Sequence, residues 1–205
     1  MSAILDTVRT YYTGRLAEHG PTPRGVDWNG AESQETRFRQ LLRLLDGHPD
    51  WALGDFGCGY GALLPFARSA GFSGEYRGYD LAPAMVAAAR DRHAADPLAR
   101  FDSDEAVLSG CDVVVASGVF NVKLGTPVAE WEQYVSRTLD RLAELGRRGF
   151  AFNALTSYSD ADRMRPDLYY PDPCVLFDRC KRRHSRHVAL LHDYGLYEFT
   201  VVVRK

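Results

Sequence analysis

The sequence predicts a doubly wound α/β fold: a seven-stranded, mostly parallel sheet with an antiparallel last strand, preceded by an N-terminal helical cap. Three observations predict it. From Trp51 onward, short apolar runs alternate with helix-length segments, as repeated strand–helix units require. A glycine-rich turn, Gly57-Cys58-Gly59-Tyr60-Gly61, follows the first apolar run and opens a helix. The chain ends in two strand-like runs separated by a tight Tyr194-Gly195 turn, a link too short for a crossover, so these two should pair antiparallel.

The cap comes first. Residues 2–19 carry Ile4, Leu5, Val8, Tyr11, Tyr12 and Leu16 at helical spacing, and His19-Gly20-Pro21 ends them. A turn-rich stretch through Arg24, Trp28 and Gly30 follows. Ser33, with Glu35 in the first turn, should then open a second helix that carries Phe38, Leu41, Leu42, Leu44 and Leu45. Residues 1–48 thus read as a helical cap and 49–205 as the sheet domain. Strands are expected at about 51–56, 75–80, 98–102, 112–117, 149–155, 187–193 and 196–204. Helices are expected near about 61–70, 83–95, 129–145 and 173–184. Successive right-handed crossovers make the first five strands parallel.

Composition narrows the function. At 205 residues the chain fits one domain with a real core, and 45% hydrophobic against 25% charged residues is ordinary for a globular protein. A net charge of −2 offers no global field for nucleic acid, and no apolar run approaches the length of a membrane span. The first twenty residues lack the pattern of a signal peptide, which leads to the expectation of a cytoplasmic protein, monomeric or homodimeric. Cys58, Cys111, Cys174 and Cys180 form no paired motif and are expected as reduced thiols. His184, His187 and His192 have no carboxylate or thiol to complete a ligand set, so no metal is expected. Arg179, Lys181, Arg182, Arg183 and Arg186 read as a solvated helix end that complements the helix dipole.

The chemistry concentrates in Asp55-Phe56-Gly57-Cys58-Gly59-Tyr60-Gly61, with Asp80 at the end of the next strand, where a carboxylate can accept from two ribose hydroxyls. Here the sequence resembles the class I S-adenosylmethionine-dependent methyltransferases, from Trp51 to Lys205. The resemblance implies the Rossmann-like methyltransferase fold, with S-adenosylmethionine as cofactor and S-adenosylhomocysteine as product. It implies that Asp55, Gly57, Gly59 and Gly61 surround the methionine part and ribose, that Asp80 holds the ribose, and that Leu81 and Met85 lie near adenine. Asp102 and Ser103 match the third-strand end that meets the adenine amine. Ser117 and Gly118, with Asn121 beyond them, match the loop at the mouth of the active site. A nicotinamide-dependent oxidoreductase is the rival, because Gly57, Gly59 and Ala62 also satisfy G-x-G-x-x-G/A. Asp55 before the glycines, Gly61 in the fifth position and the short remaining chain weigh against it. A cofactor-binding regulatory protein without transferase activity is the other alternative.

The remaining candidates surround that motif. Trp28 is expected to shield the sulfonium, since an aromatic face attracts a desolvated cation. Gln34 and Arg37, one turn apart, are placed to reach the cofactor carboxylate. The aromatic insertion at 156–173 leaves the carboxyl edge of the sheet, so Asn153, Tyr158, Tyr169, Tyr170 and Asp172, with Tyr11 from the cap, are candidates to line a small-molecule acceptor pocket. Methyl transfer demands alignment and desolvation more than covalent chemistry. Asn121 and Tyr158 are the candidate catalytic groups, for an O or N nucleophile.

Overall fold

A run in which every residue is apolar needs cover on both faces, and Val113-Val114-Val115-Ala116 is the plainest such run here. The computed structural model describes residues 2–28 and 30–205; Asn29, within the turn-rich stretch singled out above, lies outside them. Among the described residues seven strands form one sheet: β1 (Leu53–Phe56), β2 (Tyr76–Tyr79), β3 (Ala99–Asp102), β4 (Val113–Ala116), β5 (Gly149–Leu155), β6 (His187–Leu191) and β7 (Glu198–Arg204). Six α-helices accompany them: α1 (Ser2–His19), α2 (Ala31–Leu41), α3 (Leu63–Ser69), α4 (Pro83–Arg92), α5 (Val128–Leu145) and α6 (Pro173–Arg183).

The spatial order is β3-β2-β1-β4-β5-β7-β6, with β1 to β5 parallel and β7 antiparallel to both neighbours. The chain winds outward one way through β1, β2 and β3 and the other way through β4 and β5. The order therefore reverses between β1 and β4, and a crevice opens beyond their carboxyl ends. Register brings the segments after β1, β2 and β4 to that one edge, since Phe56 pairs with Tyr79 and Asp55 with Val115.

Strand periodicity divides the core in two. Val114 and Ala116 face α5 and α6, where Trp131, Leu139 and Leu142 meet Phe150, Phe152 and Phe199. Val113 and Val115 face the other layer, where Phe38 and Leu41 of α2 and Leu63 and Leu64 of α3 pack with Leu53, Tyr76 and Val202. All four cysteines are free, three of them buried. Among the described residues no helix is long and apolar enough to cross a membrane, and no group of three or more His, Cys, Asp or Glu is placed to hold a metal.

Three local expectations change. Ser33 does not cap α2, because the helix begins two residues earlier and the Ser33 hydroxyl donates to the Gly30 carbonyl at 3.0 Å. The link between β6 and β7 runs over residues 192–197, with Gly195 at φ 71°, instead of a two-residue turn. It is held open by the Tyr194 hydroxyl against the Thr200 hydroxyl at 3.1 Å and by the Tyr197 phenol, which donates to Asp160. The two N-terminal helices also part company. Helix α2 contacts α3, β5 and β7 as a layer of the core, whereas α1 contacts the 3-10 turn Pro23–Val26 and α4.

Candidate active site

Beyond β1 the backbone folds back on the end of β2. The amides of Gly57 and Cys58 both donate to the Tyr79 carbonyl, at 2.8 and 2.9 Å. At Gly59, with φ 54°, the chain takes a left-handed turn that a side chain would strain, and an added Cβ would lie 3.1 Å from Val26 Cγ1. The Gly59 amide points at Asp80 Oδ2 at 2.8 Å, while the Ala82 amide donates to Asp80 Oδ1 at 2.8 Å. Asp80 thus fastens the glycine turn to the β2–α4 turn, and each oxygen keeps a lone pair for a further donor.

Burial pushes the Asp80 carboxyl up to about 6, against the two amide donors that favour its charged form. Asp55, at the end of β1, accepts from the Tyr76 phenol. Burial, with Asp80 nearby, outweighs that bond and pushes the Asp55 carboxyl up to about 7.

These groups line a cavity of about 630 Å³ at the point where the strand order reverses. Its walls come from both ends of the chain. Leu5, Val8 and Tyr12 of α1, Trp28, and Gln34 and Arg37 of α2 face the ends of β1, β2 and β4, and the 195–198 segment closes one side.

A buried polar cluster joins those walls. Arg37 Nε and Nη2 donate to Glu198 Oε2 and Oε1 at 2.7 and 2.8 Å, a bidentate pair between α2 and β7. Asn153 Nδ2 donates to Glu198 Oε2 at 2.8 Å, and Asn121 Nδ2 to Oε1 at 3.4 Å. The amide oxygens face the other way: Asn153 Oδ1 accepts from the Gly118 amide at 2.7 Å, and Asn121 Oδ1 from the Leu155 amide at 3.1 Å. The Arg37 guanidinium lies 4.0 Å from the Trp28 ring centroid. The Trp28 ring also covers Gly118, where an added Cβ would come within 2.5 Å of it. Arg37 Nη1 and Ser117 Oγ are buried with no partner among the described residues. Such groups are costly unless water or a ligand completes them.

Of the residues singled out in the sequence, Trp28, Asp55, Gly57, Gly59, Asp80, Leu81, Met85, Ser117, Gly118, Asn121 and Tyr170 line the cavity, with Gln34 and Arg37. Others lie elsewhere. Gly61 turns toward α4, its carbonyl 2.9 Å from His93 Nε2. Asp102 pairs with Arg90 at 2.8 Å and accepts from the Asp104 amide, and Ser103 beside it is exposed. Tyr11 does not line the cavity and donates to Asp27, which does. Asn153 sits wholly buried behind Gly118. Tyr158 is 67% exposed, its ring beside His192. Tyr169 is packed in the core and reaches Glu132 at 3.5 Å. Asp172 caps α6 through the Cys174 amide.

The sequence reading left out many of the lining residues, Tyr12 and Glu198 among them. Of the adjacent pair Tyr11 and Tyr12, one of which was expected in the pocket, the structure puts Tyr12 there and not Tyr11, as the three-and-four-residue stripe of Leu5, Val8 and Tyr12 could have shown. Glu198 had little signal, being one acid at the start of an apolar terminal strand.

Comparison with known proteins adds lineage to this geometry. The family of methyltransferase domains matches residues 55–148. A Mycobacterium tuberculosis protein that carries a provisional methyltransferase name is 51% identical over 164 residues, 80% of this chain and 99% of its own. A malonyl-[acyl-carrier protein] O-methyltransferase of Pectobacterium atrosepticum is 29% identical over 119 residues, 58% of this chain and 44% of its own. Among solved structures, magnesium protoporphyrin IX methyltransferase from Synechocystis with bound S-adenosylhomocysteine superimposes with a TM-score of 0.68 at 17% identity, covering 98% of this chain and 99% of that one. That last likeness is one of fold.

Proposed function

The chain belongs to the class I S-adenosylmethionine-dependent methyltransferases, and from that membership we propose that its cavity holds S-adenosylmethionine across the ends of β1, β2 and β4 and transfers the methyl group to an O or N nucleophile of a small molecule. The observation that carries the reading is the half-buried Asp80 carboxylate, fastened to the glycine turn at the cavity floor.

The donors and acceptors around it suit that ligand. Asp80 keeps lone pairs for ribose hydroxyls, and Leu81 and Met85 offer apolar cover for adenine. Arg37 Nη1 and Ser117 Oγ lack partners where a carboxylate and an amine need them. Gly57, Gly59 and Gly118 keep the floor free of side chains, and Trp28 offers an aromatic face to a cation. S-adenosylmethionine supplies a methyl carbon already activated by the adjacent sulfonium, so the protein's part is alignment and exclusion of water.

The acceptor belongs in the rest of the cavity, toward Tyr12, Leu168, Tyr170 and Leu196, an apolar and aromatic lining that also carries Arg163 and Arg165. Relatives and neighbours act on substrates as different as a malonyl-[acyl-carrier protein] and magnesium protoporphyrin IX, so the acceptor is read from this lining alone. Asn121 has both amide ends engaged within the protein, so in this reading it orients the β4 mouth and takes no proton. Helix α1 and the turn to Trp28 act as the cap, and the enzyme works in the cytoplasm as a monomer or homodimer.

Isothermal calorimetry tests the cofactor and a radiolabelled methyl donor tests the transfer. The expected result is binding of S-adenosylmethionine and S-adenosylhomocysteine, with label moving to a hydroxylated or amino-bearing aromatic from a panel. Tight NADH binding with no response to S-adenosylhomocysteine overturns the reading.

A further inference from the structure

Glu198 stands at the first residue of β7, opposite Leu155 in the sheet, with 1% of its surface exposed. Four N–H donors converge on it: Nε and Nη2 of Arg37, and the side-chain amides of Asn121 and Asn153. We propose that Glu198 is a positioning residue of the cofactor site, setting the plane of the Arg37 guanidinium and the direction of the Asn153 amide so that the cavity recognises the amino-acid end of its ligand. The inference rests on the reading of the cavity as an S-adenosyl site.

Arg37 has a long side chain with several free torsions, and alone it would hold no single direction. A two-point fork to a carboxylate fixes the guanidinium plane, which a single contact does not. In that plane the Trp28 ring stacks on the guanidinium at 4.0 Å, and Nη1 remains as the one nitrogen of the fork without a partner among the described residues. Glu198 fixes Asn153 by sign as well as by distance. A carboxylate only accepts, so the Asn153 amide must turn its NH2 toward Glu198, and its oxygen then faces the Gly118 amide at 2.7 Å. One side chain near the carboxyl end thereby sets a cation from α2 and the loop after β4. Glu198 acts through Arg37 and Asn153, not by contact with ligand.

A buried ion pair kept only for stability has a different signature, because well-packed apolar residues often replace such a pair without loss. The distinguishing probe is a pair of ligands: S-adenosylhomocysteine, and 5′-methylthioadenosine, which keeps the nucleoside and sulfur but lacks the amino-acid end. Titration of both into wild type, Glu198→Gln, Arg37→Met and the Arg37→Met/Glu198→Gln double variant separates the roles.

Glu198→Gln should weaken S-adenosylhomocysteine by about tenfold or more, the scale of a lost charge-assisted hydrogen bond, and leave 5′-methylthioadenosine within about twofold. Arg37→Met should do the same, and the double variant should discriminate between the ligands less well than Arg37→Met alone, because the route through Asn153 is lost as well. If Glu198→Gln fails to fold with its unpaired guanidinium, the double variant, which has no buried charge to satisfy, still carries the comparison with Arg37→Met. Equal weakening of both ligands by Glu198→Gln, no weakening of either, or a double variant that discriminates as well as Arg37→Met, overturns the proposal. A wild-type protein that binds neither ligand overturns the S-adenosyl reading itself, and the role of Glu198 with it.

Discussion

Asp80 and Asp55 lie at the ends of neighbouring strands, and burial raises both carboxyls above the ordinary range, to about 6 and about 7. Their surroundings divide their work. Asp80 accepts from two backbone amides and lines the cavity floor, so its charged form is the one suited to ribose hydroxyls. Replacing it with Ala should weaken S-adenosylhomocysteine by about 1–3 kcal/mol, read by calorimetry. Unchanged affinity would remove Asp80 from the ribose. The raised pKa adds a pH dependence. Ligand affinity should fall as the pH drops through about 6 and the carboxylate takes a proton, and Asp80→Asn should abolish that slope. Stability runs the other way for Asp55. Between the unfolded value near 4 and about 7 the folded state binds the extra proton, so this group's contribution is present at low pH and is lost as pH rises to about 7. His93 and His184, lowered by burial, oppose that slope, so the informative quantity is the difference between wild type and Asp55→Asn in melting temperature across that window.

Among the elements, α1 and α2 resemble each other in sequence as two short helices ahead of the sheet, yet their environments differ. Phe38 and Leu41 of α2 are buried in the core, while Leu5 and Val8 of α1 are only partly buried and face the cavity. Removing residues 1–30 should therefore leave a protein that melts cooperatively by far-UV circular dichroism while methyl transfer falls to background. Trp28→Ala should reproduce much of that loss, since its ring covers both Arg37 and Gly118. Full-rate transfer by the truncated protein would show that α1 is no part of the active site. The same contrast marks what the sequence could convey. Strands such as Val113–Ala116 were legible because a fully apolar run bounded by turns allows few other readings. The assignment of α2 to the core was not, since an amphipathic stripe states that a helix packs without stating on what. The position of β7 between β5 and β6 was equally hidden, because a hairpin fixes its own pairing and leaves its place in the sheet to the seven-residue register with β5. Glu198 owes its burial to that placement, so the site residue and the strand order were missed together.

For the molecule as a whole, the cavity is built from residues far apart in sequence, from Leu5 to Glu198, around the one place where the sheet order reverses. The Arg37–Glu198 pair ties the helix ahead of β1 to the last strand across 161 positions. A ligand seated there touches α2, the ends of β1, β2 and β4 and the start of β7, which separate only when the domain unfolds, so its binding energy should be read in global stability. Mass action gives about 2.7 kcal/mol of added stability at a free ligand concentration a hundredfold above Kd. For a domain of this size each kcal/mol moves the midpoint by about 2–4 °C, so S-adenosylhomocysteine should raise Tm by about 5–10 °C. NADH at the same concentration should leave it unchanged. Gly59→Val supplies the control, because a side chain at φ 54° and 3.1 Å from Val26 strains the turn that carries the Asp80 contact. That variant should melt cooperatively and show no shift with S-adenosylhomocysteine. A shift of equal size in Gly59→Val would place the ligand away from the glycine turn, and a shift with NADH alone would return the cavity to a nicotinamide cofactor.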